Sequence, residues 1–163
     1  MTDALDPRTH QIIGAAFDVH SEVGSGSYGE GICRDALAIE LQLRGIPFRT
    51  EVPFPIIDKG HRLPSLYRAD FVCFEAVIVE VKSINVRTGR IEEAQMLTYL
   101  RSSGFKVGLL LNFGLPSLEQ RRWVMGDRRS DLNQGARRES PVGGGESNEA
   151  MEIRDSRKNN ESV

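Results

Sequence analysis

Val77-Ile78-Val79-Glu80-Val81-Lys82, residues 77–82, sets two charges inside a strand pattern. Four of its residues are β-branched, which suits a pleated strand. Side chains alternate between faces, so Glu80 and Lys82 share a face with Ile78. Leu66 to Phe74 reads as a second strand, and Glu75-Ala76 between the two as a tight connection, so the pair predicts a hairpin. On its first strand Asp70 shares a face with Arg68 and Val72. Across so short a hairpin Asp70 approaches Glu80. Two carboxylates close together in an apolar sheet repel unless a cation lies between them. A hard divalent ion such as Mg²⁺ takes oxygen ligands and suits that place. A lysine beside it orients or polarises an attacking water, and these are the parts that phosphodiester hydrolysis needs. The plainer reading of Glu80 and Lys82 is an ion pair on an exposed strand face. Asp70 opposite weakens it, because facing like charges are otherwise unfavourable.

Outward from the hairpin the elements fall into a simple order. Asp6-Pro7 starts a helix, as an N-cap followed by Pro in the first turn. Ile13, Ala16, Phe17, His20 and Val23 recur at helical spacing and predict its apolar face, and Gly24-Ser25-Gly26 ends it. A second helix is expected from about Gly29 to Arg44, with Gly45 as its stop. Phe48, Val52, Phe54 and Ile56 then alternate as a strand, which Pro53 and Pro55 place at a sheet edge. Asp58-Lys59-Gly60 is a turn. After the hairpin, Ile91 to Ser103 reads as a helix closed by Gly104. Val107 to Leu111 is an apolar run, as in a strand buried on both faces. Arg121 to Met125 adds a short strand or turn. The order helix, helix, three strands, helix, strand predicts an α/β fold.

Two further groups carry polar chemistry on helices. With Cys33 as reference, Glu40 falls about −20° and Glu30 about +60° around the second helix, on or beside its apolar stripe. A charge there needs a partner, so one of the two is expected to face the metal. The plain alternative is that one snorkels or caps the helix. Gln95 and Tyr99 lie one turn apart, where an amide and a phenol can bind a phosphate or hold Lys82. Taken alone, they are an ordinary half-buried helix face. His20 reads as a helix C-terminal histidine, and Cys33 and Cys73 as small core residues.

The chain has 163 residues, 39% of them hydrophobic, and a formal net charge of −2. That excludes a strongly basic nucleic-acid coat protein, so a nucleic-acid partner would need a local basic patch or a metal ion. No apolar run approaches the roughly 20 residues that span a bilayer. Met1 to Thr9 lacks a signal-peptide core. The two cysteines suggest no disulfide framework, which points to the cytoplasm. From Gly126 to Val163 only Leu132, Val142, Met151, Ile153 and Val163 are large and apolar. Such a segment buries too little apolar surface to order its backbone, so residues 126–163 are expected to be a disordered polar tail. Residues 1–125 are expected to hold the folded domain.

Asp70, then Glu80-Val81-Lys82, then Gln95-x-x-x-Tyr99 together resemble the PD-(D/E)XK nuclease superfamily. The Q-x-x-x-Y part is similar to its RecB-type branch. Ile13-Gly14-Ala15-Ala16, Val19-His20, Gly24-Ser25-Gly26, Leu43-Arg44-Gly45-Ile46 and Tyr67-Arg68-Ala69-Asp70 extend the resemblance to the GxxExxY family, over about residues 9–125. The resemblance implies a restriction-endonuclease-like core, a central mixed β-sheet flanked by helices. It implies metal carboxylates at Asp70 and Glu80, a catalytic Lys82, an upstream helix glutamate, and assistance from Gln95 and Tyr99. The chain departs at the naming motif: Gly26-Ser27-Tyr28-Gly29-Glu30 has one residue too many before the Glu, and Cys33 stands where the family has Tyr. Two cysteines cannot bind the four-cysteine iron–sulfur cluster of some RecB-type members.

Two functions follow as expectations. The first is a Mg²⁺- or Mn²⁺-dependent nuclease cutting DNA or RNA, in which a partner protein delivers the substrate if the near-neutral core cannot. The second is a silent module that keeps the fold and acts through a partner protein.

Overall fold

The computed structural model describes residues 6–24 and 28–126. The predicted tail, apart from Gly126, lies outside them, as does Ser25-Gly26. The elements run α1 (Pro7–Val23), α2 (Glu30–Leu43), β1 (Phe48–Asp58), β2 (His61–Cys73), β3 (Val77–Lys82), α3 (Arg90–Ser103), β4 (Val107–Asn112) and β5 (Glu119–Val124). The strands form a sheet in the order β1-β2-β3-β4-β5. β1–β2, β2–β3 and β4–β5 pair antiparallel. β3 and β4 pair parallel through the α3 crossover, which makes the sheet mixed.

One apolar core lies between the sheet and α1 and α2, with Leu37, Leu41, Phe71, Val79, Val81 and Leu109 in it. A second lies under α3, with Ile78, Met96, Leu100 and Leu110. β3 and β4 contribute alternate residues to each, so the central strands are covered on both faces. Gly108 permits the close approach of α3, because a Cβ there would meet Met96 Sδ at 2.3 Å. Most predicted elements agree within a residue or two. The turn at Lys59-Gly60 has both central residues at positive φ, which fits the twist of a two-residue hairpin loop. The β2–β3 turn centres on Phe74-Glu75, one residue earlier than expected, again at positive φ.

Three expectations change. The buried stripe of α1 is Thr9, Ile12, Ala15, Ala16 and Val19, and Phe17 is 48% exposed. The small Ala15 and Ala16 form the contact face, while the bulkier Phe17 lines a surface cleft with Leu115 and Leu118. β2 begins at His61, five residues early, because its first half pairs with β1 alone. Strict alternation through Arg68, Asp70 and Val72 also fails. Ala69 and Val72, three apart, pack in the same core under α3. Across the ladder Glu51, the residue between the paired Thr50 and Val52, has φ 49°. Both strands therefore change face at the position of Asp70.

Candidate active site

The β2–β3 ladder ends at Phe71↔Val79. Asp70 and Glu80 occupy the next positions, and there a side chain replaces the ladder. Asp70 Oδ2 accepts the backbone N–H of Val81 at 2.8 Å. Its other oxygen accepts from Arg34 Nη1 of α2 at 3.1 Å. β3 continues along β4 to Lys82↔Asn112, so Glu80 and Lys82 are carried past the fork on a strand held from one side.

Glu80 is buried. Its Oε1 accepts from Lys82 Nζ at 2.8 Å and from Gln95 Nε2 at 3.1 Å. Its Oε2 is buried with no hydrogen-bond partner among the described residues. Burial first, then the Asp70 charge, push the Glu80 carboxyl up to about 7 against the pull of Lys82. Burial alone would lower the Lys82 ammonium, but its bond to Glu80 and the charges of Glu80, Glu30 and Asp70 leave it raised. Glu30, in the first turn of α2, sets Oε2 3.9 Å from Lys82 Nζ. A carboxylate is favourable at a helix N-terminus. Ser83 Oγ donates to the carbonyl of Tyr28 at 2.6 Å, which ties that end of α2 to the end of β3.

Gln95 and Tyr99 face the same site but hold other atoms than expected. Gln95 Nε2 donates to Tyr99 Oη at 3.0 Å as well as to Glu80. Tyr99 Oη donates to the carbonyl of Arg68 at 3.0 Å, two residues before Asp70. Neither bonds Lys82. Tyr99 is 3% exposed and belongs to the core under α3, so it fixes β2 and Gln95 in place of reaching solvent. Burial and the Glu80 charge raise its phenol.

The structure thus gathers Asp70, Glu80, Lys82, Gln95, Tyr99 and Glu30. It does not bring Glu40 to them. Glu40 Oε1 accepts from Arg44 Nε at 2.6 Å, one turn on, and Arg44 also bonds Asp18 of α1. The stripe position of Glu40 is satisfied by Arg44, four residues on, in an ion-pair network whose third member, Asp18 of α1, lies outside the α2 helical wheel. Arg34 is the site residue that the sequence reading missed. It lies one turn beyond Glu30, so the same helix-face argument reaches it.

A second polar cluster supports the loop after Lys82. Asn112, fully buried, accepts from the N–H groups of Ile84 and Gly114 at 3.0 and 3.1 Å. It donates to the carbonyl of Val86 at 3.1 Å and to Glu119 Oε2 at 3.2 Å. Glu119 Oε2 in turn accepts from Thr88 N at 3.0 Å. The segment between Lys82 and α3 is pinned from β4 and β5.

Among the described residues no group of three or more His, Cys, Asp and Glu stands ready to hold a metal. The donor set still fits a hard cation. Glu80 offers a buried, unpartnered oxygen beside the Asp70 charge, and both groups are oxygen donors. Mg²⁺ keeps several waters and commonly takes one or two carboxylates.

The family model of the PD-(D/E)XK nuclease superfamily matches residues 6–123, and the chain belongs to that superfamily. Its mixed sheet between helices is the restriction-endonuclease-like fold. Among solved structures, the chain is similar to the crystal structure of SSO0001, at 20% identity and a TM-score of 0.49, over 65% of this chain and 55% of that one. It is also similar to an alkaline exonuclease (LHK-Exo) from Laribacter hongkongensis, at 13% identity and a TM-score of 0.46, over 83% of this chain and 77% of that one. The chain therefore spans little more than half the length of SSO0001. No curated protein sequence matches. Among the described residues no helix is long and apolar enough to cross a membrane.

Proposed function

We propose that the chain is a divalent-metal-dependent nuclease that hydrolyses phosphodiester bonds of nucleic acid, with its active unit in residues 1–125 and residues 126–163 as a polar tail. The observation that carries this reading is the buried, unpartnered Glu80 Oε2 beside Asp70, with Lys82 Nζ 2.8 Å from the other Glu80 oxygen. Asp70 and Glu80 hold Mg²⁺ or Mn²⁺, which supplies Lewis-acid stabilisation of the phosphate when bound. Lys82 Nζ holds and orients the attacking water. The water oxygen bonds to phosphorus and gives up a proton to solvent, one P–O ester bond breaks, and the leaving oxygen takes a proton from solvent and departs as a hydroxyl. Gln95 keeps the Glu80 carboxylate in place, Tyr99 holds Gln95 and β2, and Glu30 counters the Lys82 charge. Within the superfamily we assign the chain to the GxxExxY group of the RecB-type branch, on the motifs from Ile13 to Tyr99. Two free, buried cysteines suit a reducing compartment such as the cytoplasm.

The second reading, a silent module acting through a partner protein, is favoured by the pairing of each carboxylate with its own cation, Arg34 with Asp70 and Lys82 with Glu80. A cleavage assay on DNA and RNA with Mg²⁺ and Mn²⁺ separates the two. Metal-dependent cleavage that Glu80→Ala abolishes supports the nuclease, and nucleic-acid binding without cleavage under either metal supports the module.

A further inference from the structure

We propose that the arm formed by residues 53–68, the outer halves of β1 and β2, docks in the major groove of double-stranded DNA. The inference rests on the nuclease reading and names the substrate class of that site.

β3 pairs with β2 only from Phe71 to Cys73, whereas β1 pairs with β2 out to Asp58↔His61. Beyond the fork the hairpin is a two-stranded ribbon with no third strand. Its base is anchored under α3, by Phe54 against Phe105 and Tyr67 against Tyr99, at centroid distances of 5.9 and 5.2 Å. From Lys59 to Leu66 every residue is exposed. Six residues per strand at about 3.3 Å each give a reach of about 20 Å.

The charge of the arm differs from that of the chain. Residues 53–68 carry Lys59, Arg62 and Arg68 against Asp58 alone, a net +2 in a chain of net −2. This is the local basic patch that a near-neutral protein needs to hold a polyanion. The arm also exposes Ile57, Leu63 and Leu66, at 57%, 36% and 44%. Ile57 lines a cleft with Thr98, Arg101 and Ser102 of α3, which leaves Leu63 and Leu66 as the apolar side chains of the outer arm for the thymine methyl groups that line the major groove. Pro53 and Pro55 on the edge strand β1 disfavour the other use of a bare ribbon, pairing with a further strand.

The arm also starts at the site. Arg68 lies two residues from Asp70, and its carbonyl is held by Tyr99. A duplex seated on the arm therefore has its backbone beside Asp70 and Glu80. The major groove of B-DNA admits a two-stranded ribbon, whereas that of duplex RNA is too deep and narrow. The geometry selects DNA over RNA.

The test uses the full chain with a chelator, and fluorescein-labelled 30-bp DNA, the matching RNA duplex and the single DNA strand. Wild type binds the DNA duplex most tightly. The Lys59→Glu/Arg62→Glu variant binds it at least tenfold more weakly, and the slope of log affinity against log salt falls by about 2. Its thermal midpoint and its Mn²⁺-dependent hydrolysis of bis(p-nitrophenyl) phosphate stay at wild-type values, because a small diester does not reach the arm. Equal DNA binding by wild type and variant overturns the proposal. So does a wild-type preference for RNA or single strand, or no DNA binding at all. Hydrolysis of the small diester by wild type keeps the nuclease reading alive when the arm fails. Arm-dependent duplex binding without hydrolysis of any diester leaves the arm standing and removes the nuclease.

Discussion

Asp70 accepts the backbone N–H of Val81 at 2.8 Å, and so stands in for the strand carbonyl that the ladder no longer supplies. β2 and β3 part at this point without orphaning a buried donor. The same carboxylate that ends the ladder is thus placed beside Glu80.

Two substitutions at Asp70 separate these duties. Asp70→Asn keeps an acceptor for Val81 and is expected to fold, whereas Asp70→Ala leaves that N–H unmet and loses about 1–3 kcal/mol. Mg²⁺ or Mn²⁺ raises the thermal midpoint of wild type, because a ligand of the native state adds stability by mass action. In Asp70→Asn that rise is expected to vanish. An equal metal response in wild type and Asp70→Asn, followed by thermal shift, removes the paired-carboxylate site.

Glu80 makes the metal-free stability depend on pH. Burial pushes its carboxyl from 4.5 up to about 7, so the folded chain keeps a proton that the unfolded chain releases. Stability from this group is full below pH 4.5 and is lost as pH rises through about 7, by about 3 kcal/mol in all. Glu80→Gln carries no such charge and is expected to be the more stable protein at pH 8 in chelator. Urea unfolding of both proteins from pH 5 to 8 reads the difference, and parallel curves contradict it.

Buried Asn112 makes four hydrogen bonds, two to the loop that follows Lys82, at Ile84 and Val86, and two to Gly114 and Glu119. Asn112→Leu keeps the volume and strands those partners, so a loss of at least about 3 kcal/mol is expected in urea unfolding. Hydrogen exchange at Ile84 and Gly114 is expected to quicken in step. A variant as stable as wild type shows that the loop stands without this residue.

Local signals made most of the fold legible. Gly45 and Gly104 close helices at positive φ, and the apolar run at Val107 becomes a strand covered on both faces. The hairpin through Asp70 and Glu80 follows from two short strands and a tight turn. Distant partners were not legible. Nothing near Glu40 in the sequence announces Asp18, which reaches the same Arg44 from α1. The face of α1 was misread because Phe17 outweighs Ala15 in any hydrophobic pattern, while packing favours the smaller residue. The kink at Asp70 breaks period two, so alternation placed the right residues together by an imperfect route. Arg34 was passed over because an arginine on a helix is usually a solvated charge, and only the Asp70 carboxylate beside it gives it a role.

Lys82 tests the central claim most directly. Its ammonium lies 2.8 Å from Glu80 Oε1, while the proposed metal ligands are carboxylates. The measurement is cleavage by wild type and Lys82→Ala in Mg²⁺ and Mn²⁺, with metal binding followed in parallel by thermal shift. The account predicts that wild type cleaves, that Lys82→Ala loses activity by about 100-fold or more, and that the metal response survives because a nearby positive charge has been removed. Cleavage by Lys82→Ala at the wild-type rate would contradict it.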